Sequence, residues 1–310
     1  MQRLNVAPVR HWRFISIGVL ALLLVGLAGM SVSTTNVSAT DVQCGDFLTA
    51  NTTLDSDLTC SGEGLIINAN NITLDCAGRS ITGSGVGSGI SLSGQTGVNV
   101  KNCYVTGFNV GIRLESARNN TFRGNTAEAN GGDGISLHSG FNNTLTGNAT
   151  NRNNSVGISL REGNSNTLTG NVTNNNGFEG ILLDESFTNT LTGNVANNNG
   201  SEGISLAGDG NILTGNAANS NGSAGFFLAI GQGNTFTGNT ARLNGLDGFK
   251  VAASTINNTL EKNSSVSNGE YGYLDESHDT GTAGTANTYV NNRCSGNKAG
   301  KSLPAGLCGR

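Results

Sequence analysis

The feature that most constrains the fold of this sequence is a repeat of 22 to 24 residues. A Gly that precedes Ile or an aromatic residue recurs at this spacing through most of the chain, and two Asn positions recur in step with it. The Gly positions are Gly89, Gly111, Gly134, Gly157, Gly180, Gly203, Gly225, Gly248 and Gly272. The Asn positions are Asn125, Asn148, Asn171, Asn194, Asn216, Asn239 and Asn263, and Asn130, Asn153, Asn176, Asn199, Asn221, Asn244 and Asn268. Three series that keep one period indicate a solenoid of stacked, similar units.

Each repeat contains short runs in which apolar and polar residues alternate, separated by Gly and Asn. No run is long enough for a helix, so the pattern predicts strands of three to five residues joined by tight turns. Such strands are stable only when coils stack about 4.8 Å apart and form continuous parallel sheets. We therefore predict an all-β fold, a right-handed parallel β-helix of about ten coils.

Two columns of apolar residues are expected to point into the core of this solenoid. The recurring Asn side chains are expected to form amide ladders between coils, with Gly and Asn supplying the positive φ values of the corners. The first column is Leu145, Leu168, Leu191, Leu213, Phe236 and Leu260, and the second is Ile135, Ile158, Ile181, Ile204, Phe226 and Phe249.

Composition excludes two other classes of protein. A disordered chain is rich in Pro and charge, whereas this one has 2 Pro, 12% charged residues and apolar residues at fixed intervals. The formal net charge of -4 disfavours nucleic acid as a partner, because nucleic-acid binding requires a basic surface. The 47 Gly are instead explained by the turns of the repeat.

The N-terminal segment predicts export from the cytoplasm. Arg3, Arg10 and Arg13 precede the apolar run 14–30, and small residues follow as far as Ala39. We predict a signal peptide over residues 1–39 and a secreted, periplasmic or cell-surface location. An uncleaved membrane anchor is the alternative, since the run has 17 residues. The chain is otherwise expected to be a monomer.

All six Cys lie near the two ends of the exported part. We predict Cys44–Cys60 and Cys294–Cys308 disulfides in terminal caps, while Cys76 and Cys103 either pair or only stack. The predicted organisation is an N-terminal cap over 40–63, repeats over 64–275, and an irregular last coil with a C-terminal cap over 276–310.

The blocks Asn-Thr-Leu-Thr-Gly-Asn and Asn-Gly-x-x-Gly-Ile-x-Leu, the segment 72–83 and the ending 304–308 resemble a known family. This family is the right-handed parallel β-helix repeat proteins, which include the NosD-like and the carbohydrate-binding and sugar-hydrolase repeat domains. The resemblance covers nearly everything after residue 41. It implies the fold, but the family includes polysaccharide lyases, hydrolases, epimerases, surface proteins and accessory factors, so it leaves the activity open.

Function is expected at the outward positions, which vary between repeats. One outward column is predicted to carry charge and then to change to Ala. Its members are Glu115, His138, Arg161, Asp184, Ala207, Ala229 and Ala252, and the accompanying side chains are Glu162, Glu185, Phe141 and Phe187. A carboxylate, an imidazole, a guanidinium and two aromatic rings suit the binding of a polysaccharide or cell-surface glycan, and a solvated, salt-bridged surface is the alternative.

An enzyme that acts on an acidic glycan is the second interpretation of the same column. His138, Arg161, Glu162, Asp184 and Glu185 are its catalytic candidates. Glu115 and Asp184 are three coils apart, too far for a pair of glycosidase carboxylates. The neighbouring pairs Glu162/Glu185 and Glu179/Glu202 fit a retaining pair better, but both lie in or beside turns, where side chains splay outward. No catalytic cluster stands out, so we favour a binding or structural module.

Two further hypotheses concern metal and ice. The resemblance to NosD-like proteins implies a role in maturing a copper enzyme, but the exported part offers only His138 and His278 and no Met, so we predict no metal site and no cofactor. Outward Thr-x-Thr pairs predict a flat Thr surface that could order water or adhere, interrupted by Arg123, Ile212 and Glu261. The pairs are Thr144/Thr146, Thr167/Thr169, Thr190/Thr192 and Thr235/Thr237.

Overall fold

The computed structural model describes residues 37–39 and 42–309. Most of the predicted signal segment, residues 1–39, lies outside the described residues, and only the backbone of Val37–Ala39 is included, as the first strand. The described part of the chain has no apolar helix of bilayer-spanning length.

Short strands stack into parallel sheets around a common axis, as the alternating pattern predicts. One coil runs through Thr144–Thr146, Ala149–Asn151 and Ile158–Arg161, and the chain then enters the next coil at Thr167–Thr169. Each of these strands pairs with its counterpart in the neighbouring coils, so three sheets extend along the rod. The all-β parallel solenoid predicted from the repeat is confirmed.

We number the two twelve-stranded sheets 1 and 2, and the sheet that lies between them along the chain is sheet 3. Sheet 1 has the strands Val37–Ala39, Thr52–Leu54, Thr73–Asp75, Asn99–Lys101, Thr121–Arg123, Thr144–Thr146, Thr167–Thr169, Thr190–Thr192, Ile212–Thr214, Thr235–Thr237, Thr259–Glu261 and Thr288–Val290. Sheet 2 has the strands Phe47–Leu48, Leu65–Ile67, Ser88–Ser93, Val110–Glu115, Ile135–His138, Ile158–Arg161, Ile181–Asp184, Ile204–Ala207, Phe226–Ile230, Phe249–Val251, Tyr271–Asp275 and Gly300–Leu303.

Sheet 3 lies between them in each coil and has two five-stranded parts, which single bridges of Val172 connect. The first part is Leu58–Thr59, Ser80–Thr82, Tyr104–Thr106, Thr126–Glu128 and Ala149–Asn151. The second part is Val195–Asn197, Ala217–Asn219, Thr240–Arg242, Ser264–Val266 and Arg293–Ser295. One 3-10 turn, Thr282–Gly284, lies in the last coil.

The core includes both predicted apolar columns, and every member of the two is at most 3% exposed. Burial of a Leu, Ile or Phe side chain contributes about 1.5–3 kcal/mol to folding. Toward the C-terminal end the second column becomes aromatic, and the rings of Phe226, Phe249 and Tyr273 stack with centroids 4.7 and 4.8 Å apart. Because stacking follows the coil spacing, the core is continuous along the axis.

Buried Asn side chains connect successive coils, as the repeat predicts. Asn171 is typical, since its Nδ2 donates to the Leu145 carbonyl and to Asn194 Oδ1, both at 2.9 Å. Its own Oδ1 accepts from the backbone N–H and the Nδ2 of Asn148, both at 3.0 Å. A third ladder was not recognised in the sequence. It comprises Asn120, Asn143, Asn166, Asn189, Asn211, Asn234, Asn258 and Asn287.

Disulfides lie at both ends of the rod. The predicted Cys44–Cys60 and Cys294–Cys308 bonds are both formed. The pairing of Cys76 with Cys103, which the sequence left open, is also a bond, and it connects adjacent coils. Leu307, one residue before the last Cys, is 2% exposed and packs on the core.

The last coil departs from the repeat. Asn258 and Asn287 are successive members of their ladder but lie 29 residues apart, because the segment that contains the 3-10 turn is inserted between them. Asp275, which pairs with Val251 of the preceding coil, points inward and accepts hydrogen bonds from Ser277, Asn287 and Tyr289. A buried polar network therefore replaces apolar packing at this position.

Candidate functional site

The outward surface of sheet 2 carries the charged column singled out in the sequence. Glu115, His138, Arg161 and Asp184 are in register on four successive strands, so each lies one coil, about 4.8 Å, from the next. Side chains that are 23 residues apart in sequence therefore form one row parallel to the rod axis. We call these four residues the charged row.

Direct contacts hold the first half of the charged row in place. Nδ1 of His138 lies 2.6 Å from Oε1 of Glu115, and Nε2 lies 3.8 Å from Oε1 of Glu162. Since a carboxylate accepts and does not donate, Nδ1 carries the proton in the first contact. Ser139 donates to Glu162 Oε2 at 2.9 Å, and Arg113 lies 3.5 Å from Glu115 Oε2. The imidazole is thus oriented by two carboxylates.

The Ala end of the predicted column needs a correction. Ala207 pairs with Ile230 and not with Ala229, because the register shifts by one residue after Leu206. Ile230 is exposed, and the strand Phe249–Val251 ends before Ala252. The surface beyond Asp184 is therefore irregular, where the sequence suggested a uniform column of Ala.

Phe141 and Phe187 lie on the turn that follows the charged row. They are 43% and 40% exposed, respectively, so each presents part of its ring to solvent. Phe141 forms a bridge with Asn164, whose Oδ1 accepts the N–H of Phe187 at 2.8 Å. The two rings are therefore in one column, two coils apart, beside the charges. Glu162 and Glu185 occupy the turn in between, with φ values of 52° and 48°.

Small polar side chains fill the middle of sheet 2. Ser136, Ser159 and Ser205 occupy one outward column, together with Leu182. Ser159 is fully buried, and its Oγ accepts a hydrogen bond from Nε of Arg161 at 3.2 Å. Ser205 is 8% exposed. Outward positions become buried only when longer side chains rise beside them, so this column forms the floor of a shallow channel.

The second wall of the channel includes Glu179 and Glu202, which the sequence suggested only as a neighbouring pair of carboxylates. It consists of Asp133, Glu179 and Glu202, each directly before a Gly of the repeat. Backbone hydrogen bonds from Gly157 to Glu179 (3.0 Å) and from Gly180 to Glu202 (3.1 Å) place the two Glu in adjacent coils. We call these three residues the acidic wall. The sequence signal for this wall is the Glu-Gly-Ile motif, which begins at Glu179 and again at Glu202.

Glu179 has an unusual environment for a carboxylate. Burial raises the pKa of Glu179, and the negative charges of Glu202 and Asp133 raise it further, while Arg161 opposes them. Glu202 accepts hydrogen bonds from Ser201 and, at 2.8 Å, from Ser223. Two neighbouring carboxylates thus differ in environment, one desolvated and the other held by two hydroxyls.

Carboxylates outnumber bases on this surface. The carboxylates of the channel and its flanking turns are Glu115, Asp133, Glu162, Glu179, Asp184, Glu185, Glu202 and Asp209, and the bases are Arg113, Arg118, His138 and Arg161. Within residues 42–309, no three His, Cys, Asp or Glu side chains come together as a metal site would require.

The channel continues beyond both ends of the charged row. On its N-terminal side lies a cavity of about 290 Å³, lined in part by Glu63, Ser91, Arg113 and Glu115. On its C-terminal side, Lys250 lies 3.8 Å from Glu276 and 5.8 Å from the centroid of the Phe227 ring. Asp247 is 1% exposed there, and burial raises its pKa.

The predicted Thr surface is on sheet 1. Thr144, Thr167 and Thr190 are in register, and so are Thr146, Thr169 and Thr192. The first column is interrupted by Ile212, which pairs with Thr190, and the second by Arg123, which pairs with Thr146. The uninterrupted Thr-x-Thr array spans three coils. Its role in ordering water remains a prediction.

Comparisons with known proteins agree with this architecture. Residues 88–241 match a family model described as right handed beta helix region. This part of the chain belongs to the right-handed β-helix family. The NosD-like subgroup is not distinguished by the match, and no curated protein sequence matches the chain.

Solved structures with the same fold include enzymes that act on polysaccharides. The A-module of mannuronan C-5 epimerase AlgE6 from Azotobacter vinelandii is 18% identical, with a TM-score of 0.67, and the match covers 86% of this chain and 84% of that one. The catalytic unit of a GH87 α-1,3-glucanase from Streptomyces thermodiastaticus is 13% identical, with a TM-score of 0.64, and the coverages are 84% and 58%. At these identities the likeness establishes the fold.

Proposed function

We propose that this protein binds a polysaccharide along the outward channel of sheet 2, outside the cytoplasm. The observation that carries the proposal is the charged row, which is in register, braced by contacts as short as 2.6 Å, and flanked by the exposed rings of Phe141 and Phe187. Aromatic rings beside hydrogen-bonding groups are suited to the apolar faces and hydroxyl groups of sugars.

Two further observations support this assignment. The similar structures include an epimerase of mannuronan and an α-1,3-glucanase solved in complex with nigerose, so the same fold serves glycans elsewhere. Three disulfides support an oxidising location, where extracellular and cell-surface glycans are found. The predicted export signal is consistent with that location.

A glycan array followed by calorimetry tests binding. Replacing His138 and Arg161 by Ala should weaken glycan binding by about tenfold or more, a loss of about 1.4 kcal/mol, because both side chains lie in the channel. Thermal stability should change little, because both are at the surface. The matched control is Thr146→Ala with Thr169→Ala, two outward positions on sheet 1.

The result that would reject a glycan-binding role is the absence of binding to every glycan on the array by the correctly folded protein. A structural or adhesive rod would then be the better description. Equal loss of binding in the sheet 1 control would place the site elsewhere on the molecule.

Catalysis is the second candidate function, and the environment of Glu179 favours it. A desolvated carboxyl group whose pKa is raised, beside a second carboxyl group held by two hydroxyls, suits the pairing of a general acid with a second carboxylate in glycoside cleavage. Incubation with polysaccharides, including acidic ones, should then release reducing or unsaturated ends. Glu179→Gln should abolish the release but preserve binding, whereas the control Glu261→Gln, on sheet 1, should retain activity.

A further inference from the structure

The two ends of the rod carry opposite charge. Residues 42–74 include four acidic side chains and no Lys or Arg, whereas the chain after Asp279 has four basic side chains and no Asp or Glu. The acidic residues are Asp46, Asp55, Asp57 and Glu63, and the basic residues are Arg293, Lys298, Lys301 and Arg310. Within the described residues, none of the acidic four and none of the first three basic side chains forms a salt bridge. Both ends therefore present uncompensated charge.

Sheet 2 has an open strand edge at each end of the described rod. Its first strand, Phe47–Leu48, pairs only with Leu65–Ile67, and its last strand, Gly300–Leu303, pairs only with Tyr271–Asp275. An open edge presents backbone groups that can pair with a further strand. Because all strands of the sheet are parallel, the last strand of one rod can pair with the first strand of another copy in the same way as successive coils pair.

The C-terminal tail leaves the edge of sheet 2 uncovered. The backbone of Gly309 bonds to Asn292 and Cys294, on the side of sheet 3. Within residues 42–309, no backbone–backbone hydrogen bond connects the tail to the strand Gly300–Leu303. A cavity of about 470 Å³ lies beside this strand and is lined in part by Lys301. The end of the rod is therefore concave and accessible where sheet 2 stops.

Apolar side chains match at the two ends of sheet 2. Phe47 and Leu303 are the first and last members of one outward column, and they are 63% and 49% exposed. Their neighbours in this column, Ile66 and Leu274, are also apolar. Pairing of Leu303 with Phe47 of another copy buries both side chains, which favours association.

Charged side chains match at the two ends of sheet 3. Asp57 begins one outward column, since the Ser80 N–H of the next coil donates to its Oδ1 at 2.8 Å, and Arg293 ends the same column. Stacking of two rods along their axis brings the carboxylate of one copy toward the guanidinium of the other. Unlike ends attract and like ends repel, so charge sets the orientation of the contact.

We propose that copies of this protein associate head to tail, with the C-terminal end of one rod docked on the N-terminal end of the next through the edges of sheet 2. The two surfaces of this contact differ, so each pair keeps one free end of each kind and assembly continues into a filament. The channel of sheet 2 then continues from one copy to the next. This assignment departs from the monomer expected from the sequence, and it does not depend on glycan binding.

Sedimentation velocity of the protein after export tests the association. The wild type should form progressively longer species as its concentration rises, and high salt should shorten them, because screening weakens the attraction between the ends. Asp57→Arg and Arg293→Asp should each raise the dissociation constant about tenfold or more. Arg123→Asp, at an exposed position on sheet 1 in the middle of the rod, is the matched control and should assemble as the wild type does.

A mixture of the two charge variants tests the orientation. Asp57→Arg alters only the N-terminal end, and Arg293→Asp alters only the C-terminal end. In an equal mixture the two altered ends attract each other, and so do the two native ends, so assembly should return to the wild-type level. Leu303→Lys removes the apolar contact and leaves Asp57 in place, and it should also weaken assembly. Thermal melts establish that each variant is folded.

Three results would overturn the inference. One is a wild-type protein that stays monomeric at every soluble concentration, and another is assembly that stops at a dimer, because that indicates a contact between identical surfaces. The third is a mixture of Asp57→Arg and Arg293→Asp that assembles no better than either variant alone. Glycan binding measured on Arg293→Asp tests the proposed function separately, since this variant leaves the channel unchanged.

Discussion

At the scale of single residues, stability depends on the buried amides. An inward Asn such as Asn171 donates both amide hydrogens and accepts twice, so no polar group of its side chain is left unpaired. The same arrangement recurs in three ladders along the rod. Each Asn therefore connects its coil with the coil before it and the coil after it, and the ladders extend as far as the repeat does.

Replacing Asn171 by Ala is expected to destabilise the fold strongly. The change removes four buried hydrogen bonds, two from Asn148 and one each to the Leu145 carbonyl and Asn194 Oδ1, and it takes away the acceptor of the Asn148 backbone N–H. Each unsatisfied buried group costs about 1–3 kcal/mol, so we expect a loss of about 3 kcal/mol or more in the free energy of unfolding. Urea denaturation measures this loss of free energy. Asn154→Ala, an exposed position, is the control, and a similar loss there would contradict the role of the ladder.

Asp247 is expected to make stability depend on pH. Burial raises its pKa above the ordinary value of 3.8, and the nearby charge of Glu270 adds to this. The folded state then binds more protons than the unfolded state between these two pKa values, so stability falls as the pH rises through that window. Asp247→Asn keeps an acceptor for the Tyr271 N–H and removes the titration. Thermal melts should show the variant gaining stability over the wild type at pH 7 and not at pH 3, and an equal difference at both would contradict this explanation.

At the scale of elements, the corner before each strand of sheet 2 sets which side chains face outward. The Gly of the repeat occurs there, followed by an inward Ile or aromatic residue, and the residue before the Gly points out. A Cβ on Gly180 would lie 2.7 Å from Ala196 Cβ, Asn199 Nδ2 and the Gly203 carbonyl. Gly is therefore required at this corner by close packing and not by its backbone angles.

Two Gly to Ala substitutions separate these two requirements. Gly180→Ala should destabilise the protein by about 3 kcal/mol or more, because backbone as well as side chains must move to admit the methyl group. Gly170→Ala places a methyl group in open space at φ of 60° and should cost only about 1–2 kcal/mol, the strain of the left-handed conformation. Denaturant unfolding of both variants measures the two losses of stability. A larger loss for Gly170→Ala than for Gly180→Ala would contradict this interpretation.

At the scale of the whole molecule, the rod is built from nearest-neighbour contacts. Each strand pairs only with the coils before and after it, and the disulfides lie near the ends. Stability of such a solenoid is approximately a sum of coil and interface contributions. Loss of one central coil therefore removes one such contribution, and the coils on either side of it can make the same contacts with each other.

Deletion of one full coil is expected to give a folded protein. Removing residues 167–189 connects Asn166 to Thr190, which is the register partner of Thr167, so all ladders can re-form. Removing residues 167–178 instead shifts every later column and should prevent folding. Far-ultraviolet circular dichroism and thermal melts distinguish the two variants. A folded half-coil deletion, or an unfolded full-coil deletion, would contradict additive coil contacts.

The repeat alone determined the fold, the inward columns and two Asn ladders, while the positions of the Cys near the chain ends indicated the terminal disulfides. The physical reason is that every coil needs the same kinds of side chain at its inward positions, so this pattern recurs many times in the sequence. The outward charged row was predicted for the same reason, since its members follow the inward Leu at a constant distance.

Only the tertiary structure decided how the outward columns combine. Whether Glu179 and Glu202 face the channel depends on the bend at the following Gly, and the desolvation of Glu179 depends on neighbours from three coils. The register shift after Leu206, which replaces Ala229 by Ile230, likewise arises from pairing between strands. Such features occur once and not in every repeat, so periodicity carries no information about them, and three-dimensional packing determines which side chains form the candidate site.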